Sequence, residues 1–140
     1  MKQYCKDIPI FVIGEVSITP STINAIAGSY AENVPVIHIV GAPTSKDIDN
    51  KTLIHHNFSN PRPKAYEEAF KSVVETTAFL NRDNAKLEID RVLKIFVKEK
   101  RPVYIAIPMD IAQMEISQRE VDYSWSSDEA VLDEVVVKIG

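Results

Sequence analysis

The chain has 140 residues, the length of one ordinary domain. Apolar residues make up 45% and charged residues 26%, enough to fill one core and too apolar for intrinsic disorder. A formal net charge of −4 gives no basic footprint for nucleic acid. No apolar run approaches membrane-spanning length, and the single cysteine, Cys5, excludes an internal disulfide framework and a thiolate metal cluster.

The N-terminal stretch Met1–Asp7 lacks an apolar signal core, so a soluble cytoplasmic protein is expected. Ile8–Ile13 (IPIFVI) is then a continuous apolar, β-branched run, which predicts a strand buried on both faces and ended at Gly14. Thr19-Pro20 reads as an N-cap and first helical residue. The helix predicted over Ser21–Glu32 carries Ile23, Ile26, Ala27 and Tyr30 at helical spacing. Gly28 inside it costs about 1 kcal/mol relative to Ala, so close packing against another element is expected there.

Pro35–Val40 (PVIHIV) predicts a second buried strand, with His38 as a hydrogen-bonded, partly buried core residue. Thr44–Pro63 is polar, irregular and rich in Asn, Asp and Pro, the composition of a long loop. A short helix over Ala65–Lys71 and a strand over Val73–Leu80 follow. Asn81–Lys100 predicts the clearest helix, with Ala85, Ile89, Val92, Leu93 and Phe96 on one stripe and Asp90 and Lys94 paired on the outer face. Asn81 or Asp83 can cap its start, while Lys98, Lys100 and Arg101 suit the negative end of its dipole. Pro102 ends it, and Val103–Ile107 is a further buried strand. Residues 117–127 read as a linker. Ser126 and Glu129 then form a capping box for a last helix, Asp128–Ile139, whose Val131, Leu132, Val135 and Val136 need cover. Alternating strands and helices imply right-handed crossovers and a parallel α/β sheet, whose ligands bind beyond the strand carboxyl ends.

The residues with most to offer chemically are His55 and His56, adjacent in the long loop. Imidazoles titrate near neutrality, and two neighbours disfavour double protonation, so one can hold an anion while the other moves a proton. On the dipeptide alone, two solvated loop histidines are the commoner arrangement. Asp110, just after a strand, offers either a ligand contact or, more commonly, a cap for the backbone that follows it. Gly14-Glu15-Val16-Ser17 lacks the spacing of a dinucleotide or phosphate loop, and no cluster has metal-ligand spacing.

In order and spacing, INAIAGSYAE (23–32), VPVIHIVGAP (34–43), LIHHN (53–57), NAKLEIDRVL (84–93) and RPVYIAIPMDIA (101–112) resemble one family. It is the N-terminal, pyrimidine-binding domain of thiamine-diphosphate-dependent pyruvate, indolepyruvate and branched-chain 2-oxo-acid decarboxylases. The resemblance implies an incomplete flavodoxin-like parallel sheet with helices on both faces. Residues 1–116 would form the partial pyrimidine-binding domain, and 117–140 a linker and the start of the middle domain's first helix. The parent activity is nonoxidative decarboxylation of a 2-oxo acid to an aldehyde and CO2, with thiamine diphosphate and Mg2+ as cofactors. His55 and His56 match the family's active-site histidine pair, which handles substrate and protons.

The family's activating glutamate, in an Asn-Glu-Leu-Asn-like motif, and a catalytic aspartate, in a Gly-Asp-Tyr/Phe-Asn-like motif, have no counterpart in this sequence. Glu15 matches a different family stretch, Gly-Glu-Leu-Ser, and is not the activating glutamate. The diphosphate and Mg2+ site of the third domain is also absent. The expectation is therefore a fragment that binds no cofactor alone, is inactive alone, touches neither nucleic acid nor membrane, and self-associates or pairs with a full-length relative. The alternative is a non-enzymatic remnant or interaction module.

Overall fold

The computed structural model describes residues 10–15, 19–53 and 64–115. Strands β1 (Ile10–Glu15), β2 (Val36–Ala42), β3 (Thr76–Phe79) and β4 (Val103–Pro108) form a four-stranded sheet in the order β1-β2-β4-β3. All three pairings are parallel, with Val12 opposite His38 and His38 opposite Tyr104 across the sheet. The helices are α1 (Thr19–Ala31), α2 (Ser45–Asp49), α3 (Ala65–Phe70), α4 (Ala85–Glu99) and α5 (Met109–Ala112).

The strand order dictates where the helices sit. Connections from β1 to β2 and from β2 to β3 step in one direction across the sheet, whereas β3 to β4 steps back. Right-handed crossovers then put α1 and α3 on one face and α4 on the other. The core divides accordingly. On one face Val36, Val40, Tyr104 and Ala106 pack with Ile26 of α1 and Phe70 of α3. On the other, Ile37, Ala78, Val103 and Ile105 pack with Val92 and Phe96 of α4 and Ile111 of α5. This parallel α/β layering with helices on both faces is the architecture expected from the alternation of apolar runs.

Several local expectations change. β1 is not buried on both faces: Phe11 is 59% and Ile13 76% exposed. It has β2 as its single neighbour among the described residues, and α4 packs over the other three strands. The strand predicted over Val73–Leu80 is confined to Thr76–Phe79. Val73 instead closes a turn onto the Phe70 carbonyl, and Val74 plugs the α1–α3 face. The loop after β2 begins with α2, because Thr44 accepts a hydrogen bond from the Asp47 N–H and donates its own hydroxyl to the Asp47 carboxylate. Gly28 is exposed, and a Cβ built there meets nothing within 4 Å, so close packing does not explain it.

α4 starts after Asn84, which offers no side-chain cap. Asn81 organises the entry instead, its Oδ1 accepting from the Asp83 and Asn84 N–H groups. α4 ends on Lys100 in the left-handed region at φ 50°, two residues before Pro102. The last helix expected, over 128–139, lies outside the described residues.

Candidate functional site

Because every pairing is parallel, all carboxyl ends lie along one edge of the sheet, where ligands of open α/β sheets bind. That edge holds an open cleft of about 600 Å3. Its walls come from three turns: Ser45, Lys46, Asp49 and Asn50 around α2, Asn81, Arg82 and Asp83 before α4, and Asp110 and Ile111 in α5.

Asp110 ties two of those turns together. Its Oδ1 accepts a hydrogen bond from the Ser45 N–H at 2.9 Å, closing an otherwise unpaired donor at the start of α2. That bond, with others from the backbone of its own turn, holds the Asp110 carboxyl below the usual carboxylate range. The expectation that Asp110 caps the backbone following it holds only in part: its bonds reach its own turn, but the leading one goes to the start of a helix 65 residues earlier. Behind the cleft, Asn84 Nδ2 donates to the Phe79 carbonyl, so the β3 end and the α4 start are pinned to one another.

The opposite edge carries a polar clasp. Arg101 donates through Nε to the Asn33 Oδ1 at 2.8 Å and through Nη1 to the Tyr30 hydroxyl at 3.1 Å. It also lies 3.8 Å from the Glu75 carboxylate. The clasp joins the ends of α1 and α4 to the start of β3, at the amino edge, away from the cleft. A second arginine, Arg91 on α4, pairs with Glu88 and donates to Thr76 and to the Thr77 carbonyl, anchoring α4 to the edge strand β3.

His38 is buried at 1% exposure. Its Nε2 lies 3.4 Å from the Thr22 hydroxyl, and its Nδ1 has no hydrogen-bond partner among the described residues. His38 is thus the core histidine expected, but it is buried fully rather than partly and is satisfied at one nitrogen only. Burial pushes the imidazole below the usual histidine range.

His55 and His56, the residues singled out by sequence, lie outside the described residues. The described chain breaks off at Leu53, just after α2, and resumes at Lys64, just before α3. Sequence reasoning missed the contribution of α2 to the cleft, although Thr44 followed three residues later by Asp47 is a recognisable capping signal.

The resemblance implies thiamine diphosphate as the cofactor. An aminopyrimidine needs a largely apolar slot. This cleft is open, and its lining sets Asp49, Asp83 and Asp110 against Lys46 and Arg82. The lining of this cleft therefore does not fit an aminopyrimidine. Among the described residues no group of three His, Cys, Asp or Glu side chains could hold a metal ion. Among them, also, no helix is long and apolar enough to cross a membrane.

Fold and edge define a parallel α/β unit with an open cleft at its carboxyl edge. Comparison with known proteins narrows that class. No family model matches the chain. Pyruvate decarboxylase from Candida albicans is 36% identical over 116 residues, 82% of this chain and 20% of that protein. An alpha-keto-acid decarboxylase from Mycobacterium tuberculosis is 39% identical over 106 residues, 76% of this chain and 18% of that protein. A solved thiamine diphosphate-dependent 4-hydroxybenzoylformate decarboxylase from Rhodococcus jostii superposes with a TM-score of 0.64. It covers 96% of this chain and 26% of that one at 14% identity, a likeness of fold. By sequence this chain belongs with the 2-oxo-acid decarboxylases, spanning about one fifth of the length of the relatives it matches.

Proposed function

We propose that this chain is a partial pyrimidine-binding domain of a thiamine-diphosphate-dependent 2-oxo-acid decarboxylase, and that alone it is not a catalyst. The observation that carries this reading is 36% identity to a pyruvate decarboxylase across 82% of the chain. Residues 1–116 correspond to the partial domain, and 117–140 to the passage into the middle domain. In the complete enzyme the activity is a cytoplasmic carbon–carbon lyase reaction, releasing CO2 and an aldehyde from a 2-oxo acid. The cofactor, with Mg2+, supplies the electron sink for that chemistry. His55 and His56 hold the substrate carboxylate and move protons, which suits a pair of imidazoles titrating near neutrality.

Inactivity alone is supported by the open cleft, whose lining sets carboxylates against cations. Transition-state stabilisation needs all charged groups assembled in one enclosed site. Phe11 and Ile13, exposed on edge strand β1, support a second reading as an interaction module. An uncovered strand edge with apolar side chains favours pairing with a second copy or a full-length relative.

The test is aldehyde release from pyruvate, indolepyruvate and branched-chain 2-oxo acids by the purified chain with thiamine diphosphate and Mg2+. No release above a His55→Ala/His56→Ala control is expected. Sustained turnover that disappears in that control would show that the chain is a catalyst by itself.

A further inference from the structure

His38 stands in the middle of β2, with β1 and β4 as neighbours and the α1–α3 layer over its face of the sheet. Its ring lies 5.0 Å from the Phe70 ring of α3 and 5.4 Å, edge-on, from the Tyr104 ring of β4. Phe70 and Tyr104 stack on one another at 5.0 Å. From β1 its register partner is Val12, and from α1 the facing group is the Thr22 hydroxyl. Among the described residues, the titratable groups that bear on this aromatic cluster are Tyr104, Tyr66 and Glu67. Burial raises both phenols, and the Glu67 carboxylate accepts from the Thr77 hydroxyl at 2.8 Å. Among the described residues no carboxylate acts on the imidazole, which burial perturbs.

A neutral ring fits this site and an imidazolium does not. Protonation makes both nitrogens donors. Thr22 can take one, and Nδ1–H is left without an acceptor among the described residues. A charge buried without a partner is relieved by hydration. In a strand flanked on both sides, hydration requires α1 or α3 to move away. α4 packs on the opposite face with its own cluster and does not touch this ring.

We propose that His38 is an acid-sensitive latch, whose protonation releases the α1 and α3 layer from the sheet while α4 and the opposite face stay packed. The sign follows from linkage. The opened ring titrates near its ordinary value of 6.5 and the closed ring lower. The closed state is therefore fully favoured above pH 6.5. Below it, opening grows about tenfold per pH unit, until the closed-state value is reached.

Hydrogen exchange of the full chain between pH 7.5 and 5, corrected for intrinsic rates, tests this. In the wild type, opening in α1 and α3 is expected to rise below pH 6.5 by up to about tenfold per pH unit and to level off at the closed-state value, with α4 and β4 unchanged; in His38→Gln the rise should vanish. Equal loss across α4, no pH dependence in α1 and α3, or persistence of the effect in His38→Gln would each overturn the proposal. If His38→Gln does not fold, the His38 ring titration followed by NMR in the wild type decides. A value depressed below 6.5 supports the latch, and titration at 6.5 or above refutes it.

Discussion

Replacing Val92 by alanine tests the packing of the α4 face. Val92 is fully buried at the centre of that face, among Ile37, Ala78, Ile105 and Phe96. The change removes two methyl groups, worth about 0.8 kcal/mol each when buried. A residual cavity of roughly 50 Å3 adds about 1.2 kcal/mol at about 24 cal/mol per Å3. Alanine's better helix propensity returns roughly half a kcal/mol. The net loss is about 2 kcal/mol, a substantial part of a domain stability of roughly 5–15 kcal/mol. Urea unfolding is the assay, and at a slope of about 2 kcal/mol per molar the midpoint should fall by about 1 M. Leu87, on the same helix and 72% exposed, is the control. Leu87→Ala should change stability by less than about 0.5 kcal/mol. Equal losses for the two variants would refute the assignment of the buried face.

Two more predictions come from the described residues. Gly28→Ala should stabilise the chain by about 0.5–1 kcal/mol in the same urea assay, because alanine restricts the unfolded chain and meets open space in α1. The contribution of Asp110 is present above the ordinary carboxylate pKa and is lost as pH falls through its depressed folded value. Asp110→Asn should therefore be less stable than the wild type at neutral pH, with the difference shrinking in melts taken below about pH 4.

The layered fold was legible because period and length agreed. Val103–Ile107 and Pro35–Val40 are too short and too continuously apolar for helices, and Ala85, Val92 and Phe96 keep a helical stripe. The edge character of β1 was not legible. Composition cannot distinguish a central strand from an edge strand, and Phe11 and Ile13 resemble Ile37 and Ile39 until the strand order is known. α2 was hidden by its length: five residues carry little periodicity, and its signal was a cap. The capping role of Asp110 was visible in outline, whereas its partner Ser45 comes into reach only when β2 and β4 pair. For the histidine pair, the sequence argument stands by itself, since His55 and His56 lie outside the described residues. A satisfied His38 is the ordinary expectation for a buried polar group, and among the described residues the tertiary setting supplies a partner for one nitrogen alone.

Calorimetric titration of the purified chain with thiamine diphosphate and Mg2+ tests the central claim most directly. A partial domain with an open, polar edge should give no saturable heat at millimolar ligand. A stoichiometric isotherm with a micromolar dissociation constant, weakened by His55→Ala/His56→Ala, would contradict it by showing a complete cofactor site within this chain.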